Sequence, residues 1–531
     1  MNARLPAGVL ARADFPMLRL VHIHRMEPAF DLLPLADAFA RRCALFRHAG
    51  QFIGVLEDPL AADLQRWAEA RAGDCVEWYL AAPADLSDWL NKQAEGSTVL
   101  SGVLARAKLG AGETAHPEAA NMDSAHAGPE VSQLHADSDE SPVVRLVNST
   151  IHDALKLGAS DIHVETTPQG LVIRLRVDGV LETVGEVGGR ELAEQTVSRL
   201  KVLAELDIAE RRVPQDGRLT VRLDGRAIDL RLSVMPSIHG EDAVLRILDK
   251  RRLVPTGEAL GLEQLGFSSS DLTRMRSLAA RPYGMLLVTG PTGSGKTTTL
   301  YGVLSEINDG RDKIVTIEDP VEYELPGVLQ IPVNDKKGLT FARGLRSILR
   351  HDPDKIMIGE IRDAETAEIA VQSALTGHLV LSTVHANHVF DVFSRFAHLG
   401  IDPYSLTAAL NGVWAQRLLR TVCPHCAEPV VPTARELAAL GLPPEAATGG
   451  FRRGRGCGEC RTTGYRGRRA VAEILALDDR LRTLIAQRAP LAEIKAEARR
   501  QGTQSLRDAA LQLARAGLTT LEEVARVTQP D

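Results

Sequence analysis

Apolar positions along this chain change period several times, and each change marks an element. Between Pro142 and Lys156, Val144, Leu146, Val147, Ile151 and Leu155 recur at the three-to-four-residue spacing of an amphipathic helix. Leu171, Ile173, Leu175 and Val177 then alternate with Val172, Arg174 and Arg176, the period of a half-buried strand. Asp178-Gly179 follows as a favoured hairpin turn, and Asp224-Gly225 repeats the device between strands predicted at 218–223 and 227–234. With a helix predicted around 192–206, this reads as an α+β domain of about 115 residues, ending near Asp249–Val254. From Gly284 the pattern becomes strand, glycine-rich loop, helix, strand, helix, strand. Apolar runs at 285–288, 314–317, 356–358 and 379–384 alternate with helices near 297–308, 341–350 and 364–375. Such alternation predicts an α/β fold, a parallel sheet covered by helices.

A different texture separates these regions from the first 105 residues. Residues 109–142 carry seven acids and neither Lys nor Arg, and are poor in large apolar side chains. Such a stretch cannot bury enough surface to offset its ordering entropy, so it reads as a flexible linker. The expected domains are therefore 1–105, a linker at 106–141, 142–265, and 266–531 with a small cysteine lobe at 420–470 and C-terminal helices at 471–531. Cys43 and Cys75 in the first domain have no ligand-like neighbours and read as packing residues.

The linker's seven acids equal the whole net charge of −7, from 62 basic against 69 acidic residues. The rest of the chain sums to zero, which does not indicate a uniformly basic nucleic-acid surface. A composition of 44% apolar, 25% charged and 4% aromatic residues excludes a collagenous, fibrous or wholly disordered chain. No uncharged apolar run is long enough to span a bilayer, and Arg12 interrupts the only early apolar piece, a poor signal peptide. A soluble, cytoplasmic, multidomain protein is expected.

Gly290-Pro291-Thr292-Gly293-Ser294-Gly295-Lys296-Thr297, followed by Thr298, matches the full P-loop pattern between a predicted strand and helix. Glycines let backbone N–H groups wrap phosphates, Lys296 reaches the β/γ oxygens, and Thr297 offers a hydroxyl to Mg²⁺. Binding of a nucleoside triphosphate follows. Glu318 closes one later strand, ahead of Asp319 and Glu322, and Glu360 closes another. Gly359 stands where a metal-holding Asp is usual, leaving Glu360 to act on Mg²⁺ or water, with Glu318 as a second acid. His378 and His385 flank the next strand. Their odd separation puts them on opposite faces of an ideal strand, so they need not share one role. Near a γ-phosphate, either is able to report the nucleotide state. Cys423-Pro-His-Cys426 and Cys457-Gly-Glu-Cys460 are paired CxxC knuckles, whose four thiolates suit a closed, structural Zn²⁺. Seven arginines against one acid between Phe451 and Arg469 suit a solvated face, an anionic partner or a membrane surface alike.

Over about Pro142–Asp478 these residues resemble the bacterial secretion ATPases of type II secretion and type IV pilus assembly. Ala159-Ser-Asp-Ile-His163-Val-Glu165, Pro214-Gln-Asp-Gly-Arg218 and His239-Gly-Glu241 resemble that family's PAS-like second N-terminal domain. The P-loop, Thr316–Glu322, Gly338–Phe341, Leu345–Arg350 and Gly359–Asp363 resemble its RecA-like domain. The resemblance makes the segment with Glu318, Asp319 and Glu322 an Asp box, Glu360 an atypical Walker B acid, and His378 and His385 a His box. The family's usual His-Thr-Asn-Asp reads His385-Ala-Asn-His388 here. Knuckles followed by Thr463-Gly-Tyr-Arg-Gly467 look like the assembly ATPases.

The resemblance also implies ATP and Mg²⁺ as ligands and a homohexamer in which arginines of the PAS-like domain reach the phosphates. Arg218, Arg231 and Arg246 are the candidates. Leu33-Pro-Leu35 and Val55–Leu60 resemble a domain that docks on inner-membrane platform proteins, which implies peripheral membrane association. The leading expectation is an ATPase driving pseudopilus assembly for type II secretion. Pilus extension is the near alternative, a nucleic-acid motor and a non-hydrolysing zinc protein the distant ones; no nucleic-acid partner is expected.

Overall fold

The computed structural model describes residues 141–249 except Asp224, residues 260–528, and parts of 17–89. The acidic stretch up to residue 140, Cys75, Pro34 and Leu35 lie outside the described residues. The chain divides into two units, Met1–Ile247 and Leu248–Asp531, so the division falls before the expected boundary at 265/266.

The first unit contains two sheets. In the N-terminal one, β3 (Cys43–His48) and β4 (Gln51–Leu56) form a hairpin, flanked by β1 (Met17–Leu18), β2 (Glu27–Pro28) and β5 (Val76–Ala81) in the order β1-β5-β4-β3-β2. Helix α1 (Ala62–Ala72) connects β4 to the parallel β5. Phe46 packs edge-to-face on Trp89 at 4.9 Å in its core, and Cys43 is buried.

The second sheet comprises β6 (Asp161–Thr167), β7 (Gly170–Val177), β8 (Val180–Gly188), β9 (Gln215–Leu223), β10 (Arg226–Ser237) and β11 (Gly240–Leu248), in the order β8-β7-β6-β11-β10-β9. Helices α2 (Pro142–Leu157) and α3 (Arg190–Leu203) share its apolar core. The Ser141 hydroxyl accepts from Val144 N, Pro142 starts α2, and Gly158 ends it at φ 68°, so both ends are capped. Asp178 and Gly179 both take positive φ, as a tight hairpin turn requires. The buried Lys201 ammonium contacts Glu241 at 2.5 Å and donates to the Glu210 carbonyl at 2.8 Å. Glu241 of the His-Gly-Glu motif therefore neutralises a core lysine.

In the second unit, helix α4 (Ser269–Ala279) precedes β12 (Gly284–Thr289), α5 (Lys296–Ile307), β13 (Ile314–Glu318), β14 (Leu329–Pro332), α6 (Phe341–Ile348), β15 (Lys355–Ile358), α7 (Ala364–Leu375) and β16 (Leu379–Val384). Two short helices, α8 (Asp391–His398) and α9 (Pro403–Ala409), lead to the long strand β17 (Leu410–Val422). The seven-stranded sheet runs β14-β13-β15-β16-β12-β17-β20, parallel except for β20 (Tyr465–Ala476), which pairs antiparallel with β17. Alternate residues of β12 serve two cores. Met285 and Leu287 join one; Leu286 and Val288 join the other, with α4 and α5. Burial of both faces explains why these strands read as unbroken apolar runs.

Between β17 and β20 the chain makes an excursion containing β18 (Ala427–Pro429), α10 (Ala434–Ala439), β19 (Arg452–Gly454) and all four cysteines of the lobe. Helices α11 (Asp479–Ala486), α12 (Leu491–Arg500), α13 (Leu506–Arg515) and α14 (Leu521–Val527) close the unit. The fully buried Glu523 on α14 accepts from the Arg420 backbone N–H and from the guanidinium groups of Arg420 and Arg526, pinning the last helix to β17.

Candidate functional site

The P-loop leaves β12 at the C-terminal edge of the parallel strands and enters α5, so its backbone N–H groups and the helix dipole face one space. Its path demands glycine. Gly290 sits at φ 147°, where a Cβ would lie 2.7 Å from the Gln416 carbonyl oxygen; at Gly295 (φ 87°) a Cβ would lie 2.9 Å from Gln416 Nε2. The Lys296 ammonium donates to the carbonyls of Gly290 (2.9 Å) and Pro291 (3.1 Å). Burial holds its pKa below the ordinary value, with Glu360 opposing and Arg417 reinforcing the shift.

Gln416 on β17 was not singled out by the sequence. Its amide, 1% exposed, donates to the Ser294 carbonyl (2.7 Å) and accepts from the Thr299 hydroxyl (2.7 Å), bracing the loop and the first turn of α5 together. The next residue, Arg417, donates to the carbonyls of Gln416 (3.0 Å) and Asn387 (2.9 Å), and its burial lowers its pKa.

Glu360, two residues beyond β15, is 14% exposed and contacts the side chains of His385 and Arg362. His385 Nε2 lies 3.1 Å from its Oε2, and Arg362 contacts its Oε1. His385 follows β16 directly, and the register of β15 on β16 brings both to the edge that carries the P-loop. Thr289, the last residue of β12, clasps the segment after β16 by donating to the Ala386 carbonyl (2.6 Å) and accepting from its N–H (3.0 Å). Position 386 is therefore held by its backbone, whatever its side chain.

Two sequence-predicted residues stand apart from this cluster. His378 precedes β16, and β12 pairs Gly284 with Leu379 and Thr289 with Val384, so His378 lies at the opposite edge of the sheet, about 20 Å along the six-residue strand. Its Nδ1 is 3.0 Å from the Ser373 carbonyl. Within one chain the two histidines stand at opposite ends of β16, in keeping with the expectation that they need not share one role. Glu318 is at the right edge but points inward at 2% exposure. Its oxygens accept from Thr316 Oγ1 (2.6 Å), Gln330 Nε2 (3.1 Å) and the Tyr301 hydroxyl. These donors come from β13, β14 and α5, and burial raises the Tyr301 pKa, with the Glu318 charge adding to it.

In the first unit, Arg218 on β9 stands directly opposite Arg231 on β10, so the two side chains share one sheet face. Arg246 on β11 is paired with Asp161 at 3.1 Å, and Arg176 approaches the same carboxylate at 3.7 Å. The neighbouring residues Leu219, Leu230 and Leu245 are buried in the core, which leaves the arginines on the face turned away from it.

The four cysteines converge. All their Sγ atoms lie within 4.8 Å of one another, with 423–457 at 3.9 Å, 426–460 at 3.7 Å and 457–460 at 3.7 Å. Four thiolates about 2.3 Å from one tetrahedral Zn²⁺ would stand about 3.8 Å apart, so the residues fit the metal. Backbone N–H groups of Cys457 and Gly464 point at Cys460 Sγ, each at 3.2 Å, as outer-shell donors to a thiolate do. Oxygen donors on Thr297 and Glu360 likewise suit Mg²⁺.

Comparison with known proteins agrees with this architecture. Residues 136–526 match the family model described as type II/IV secretion system protein. The chain is 50% identical over 403 residues to type II secretion system protein E of Pseudomonas aeruginosa, covering 76% of this chain and 79% of that protein. It is 46% identical over 404 residues to the type IV pilus assembly ATPase PilB of Myxococcus xanthus, covering 76% and 70%. The X-ray structure of the Legionella pneumophila ATPase DotB shares the fold at a TM-score of 0.53 and 21% identity, covering 73% of this chain and 96% of that one. No helix among the described residues is long and apolar enough to cross a membrane. By the extent of the family match and the identity to its members, the chain belongs to the type II/IV secretion system protein family.

Proposed function

We propose that this chain is an ATP hydrolase that works as a homohexamer and powers pseudopilus assembly for type II secretion. The observation that carries the reading is the meeting of the P-loop, Lys296 and the Glu360–His385 pair at one sheet edge. Gly290–Thr298 would cradle the phosphates, while Thr297 and Glu360 would hold Mg²⁺, which when bound supplies charge neutralisation at the phosphate oxygens. Lys296 draws negative charge towards the loop, and Glu360, held by Arg362 and His385, orients water beside it. Glu318 serves this site as a positioning residue, since its bonds tie the end of β13 to α5 through Tyr301 and to β14 through Gln330. His385 is the histidine suited to sense the nucleotide.

Arg218 and Arg231 supply a cationic sheet face suited to phosphates, and Arg246 pairs with Asp161. The cysteine lobe holds structural Zn²⁺ and locks the β17–β20 pair. Residues 1–105 dock on an inner-membrane platform protein, which makes the protein cytoplasmic and peripherally attached. Pilus extension is the second reading, favoured by the 46% identity to PilB. Export of a reporter and surface piliation, measured in one deletion strain carrying this chain, separate the two. Restored piliation without restored export contradicts the secretion reading.

A further inference from the structure

Arg417 faces a second space. Gln416 reaches α5, so on β17 its neighbour Arg417 points to the other side of the sheet. There a cavity of about 160 Å³ opens between the segment after β16 and the last two helices, its wall including Asn387, His388, Arg417, Arg507, Arg526 and Thr528. The charges in that wall do not balance. Arg526 is neutralised by Glu523, which Arg420 shares. His388 Nδ1 stands 3.9 Å from Glu473 Oε2, an ion-pair separation too long for a good hydrogen bond. Arg417 contacts two backbone carbonyls, and Arg507 Nε is buried with no hydrogen-bond partner among the described residues.

Glu473 attracts both His388 and Arg417, one carboxylate shared between them. Desolvated guanidinium groups short of counter-charge are costly, and their planar forks match tetrahedral oxyanions. At about 30 Å³ per water the space takes one such anion with ordered water, and it falls short of the roughly 300 Å³ that drug-sized ligands need. We propose that this cavity is a second phosphate site, holding a phosphate-type oxyanion between Arg417, Arg507 and His388 and separate from the P-loop. The site goes beyond the ATPase reading and does not depend on it. Occupancy there bears on the loop, because a Cβ at Gly290 would lie 3.2 Å from Arg417 Nη1.

Free inorganic phosphate and the terminal phosphate of a nucleotide share this chemistry, and titration calorimetry of the full chain with inorganic phosphate alone distinguishes them. Lys296→Ala, which weakens the P-loop's own hold on phosphate, is expected to keep the binding step that belongs to this cavity. Arg507→Gln weakens binding at least tenfold, His388→Ala weakens it about threefold or more, and Arg507→Lys recovers part of the loss. Thermal melting of each variant accompanies the titration, and His388→Ala carries the test if Arg507→Gln does not fold. Loss of phosphate binding in Lys296→Ala puts the anion in the nucleotide cradle and overturns the proposal. Unchanged binding in folded Arg507→Gln, or no binding by the wild type below about 10 mM, a range worth under about 3 kcal/mol, also overturns it.

Discussion

Gln416 Nε2 donates to the Ser294 carbonyl at 2.7 Å, so a side chain on β17 holds the P-loop from behind. Because the same amide accepts from Thr299, Gln416→Leu strands a buried carbonyl and a buried hydroxyl together. The expected cost is about 2–4 kcal/mol of stability. ATP affinity should fall with it, since the loop loses its pre-set shape. Paired thermal melts and nucleotide titrations check this; a variant that melts lower but binds ATP as the wild type does limits Gln416 to packing.

The two acids near the loop should separate by what they lose. Glu318→Gln places an amide N–H₂ among the Thr316, Gln330 and Tyr301 donors and should lower the melting temperature, with a secondary loss of turnover. Glu360→Gln should leave the melt nearly unchanged and remove turnover. Equal thermal loss in both variants would show that Glu360 too is mainly structural.

Much of the architecture was open to reading because parallel strands buried on both faces leave wholly apolar runs. Met285–Val288 and Leu379–Val384 are of that kind. The strand β17 escaped because Gln416, Arg417 and Arg420 interrupt its apolar run, and each polar group is satisfied by a partner distant in sequence. The inward aim of Glu318 was half legible: a two-residue period puts it on the face of Thr316, whose hydroxyl it accepts. Spacing along the strand did not show that His378 stands at the end of β16 away from the P-loop. Cysteine spacing, by contrast, stands close to geometry, because two CxxC turns each preset a pair of thiols.

Removing metal should act on the lobe first. A strong chelator, or Cys460→Ser, is expected to release one Zn²⁺ per chain and unfold the excursion between β17 and β20, with on the order of 10 kcal/mol of binding energy at stake. Metal analysis and hydrogen exchange over residues 423–464 check this. Protein purified without chelator and free of zinc contradicts it.

Glu523 sets a pH limit on the C-terminal helices. Burial works to raise its pKa, but hydrogen bonds from Arg526 and Arg420 outweigh burial and hold it below the ordinary 4.5. A depressed folded-state pKa stabilises fully above 4.5 and is lost as pH falls through the depressed value. Glu523→Gln should cost about 3–5 kcal/mol at neutral pH and flatten the acid limb of the stability curve. A variant with the wild-type acid limb would show that other carboxylates set it.

The central claim is that Glu360 turns a nucleotide-binding loop into a hydrolase. Phosphate release and ATP affinity, measured side by side on the assembled wild type and on Glu360→Gln, test it most directly. The structure predicts ATP affinity within about threefold of wild type and turnover reduced at least a hundredfold, about 2.7 kcal/mol of transition-state stabilisation. Wild-type phosphate release from Glu360→Gln, with ATP bound, would contradict it.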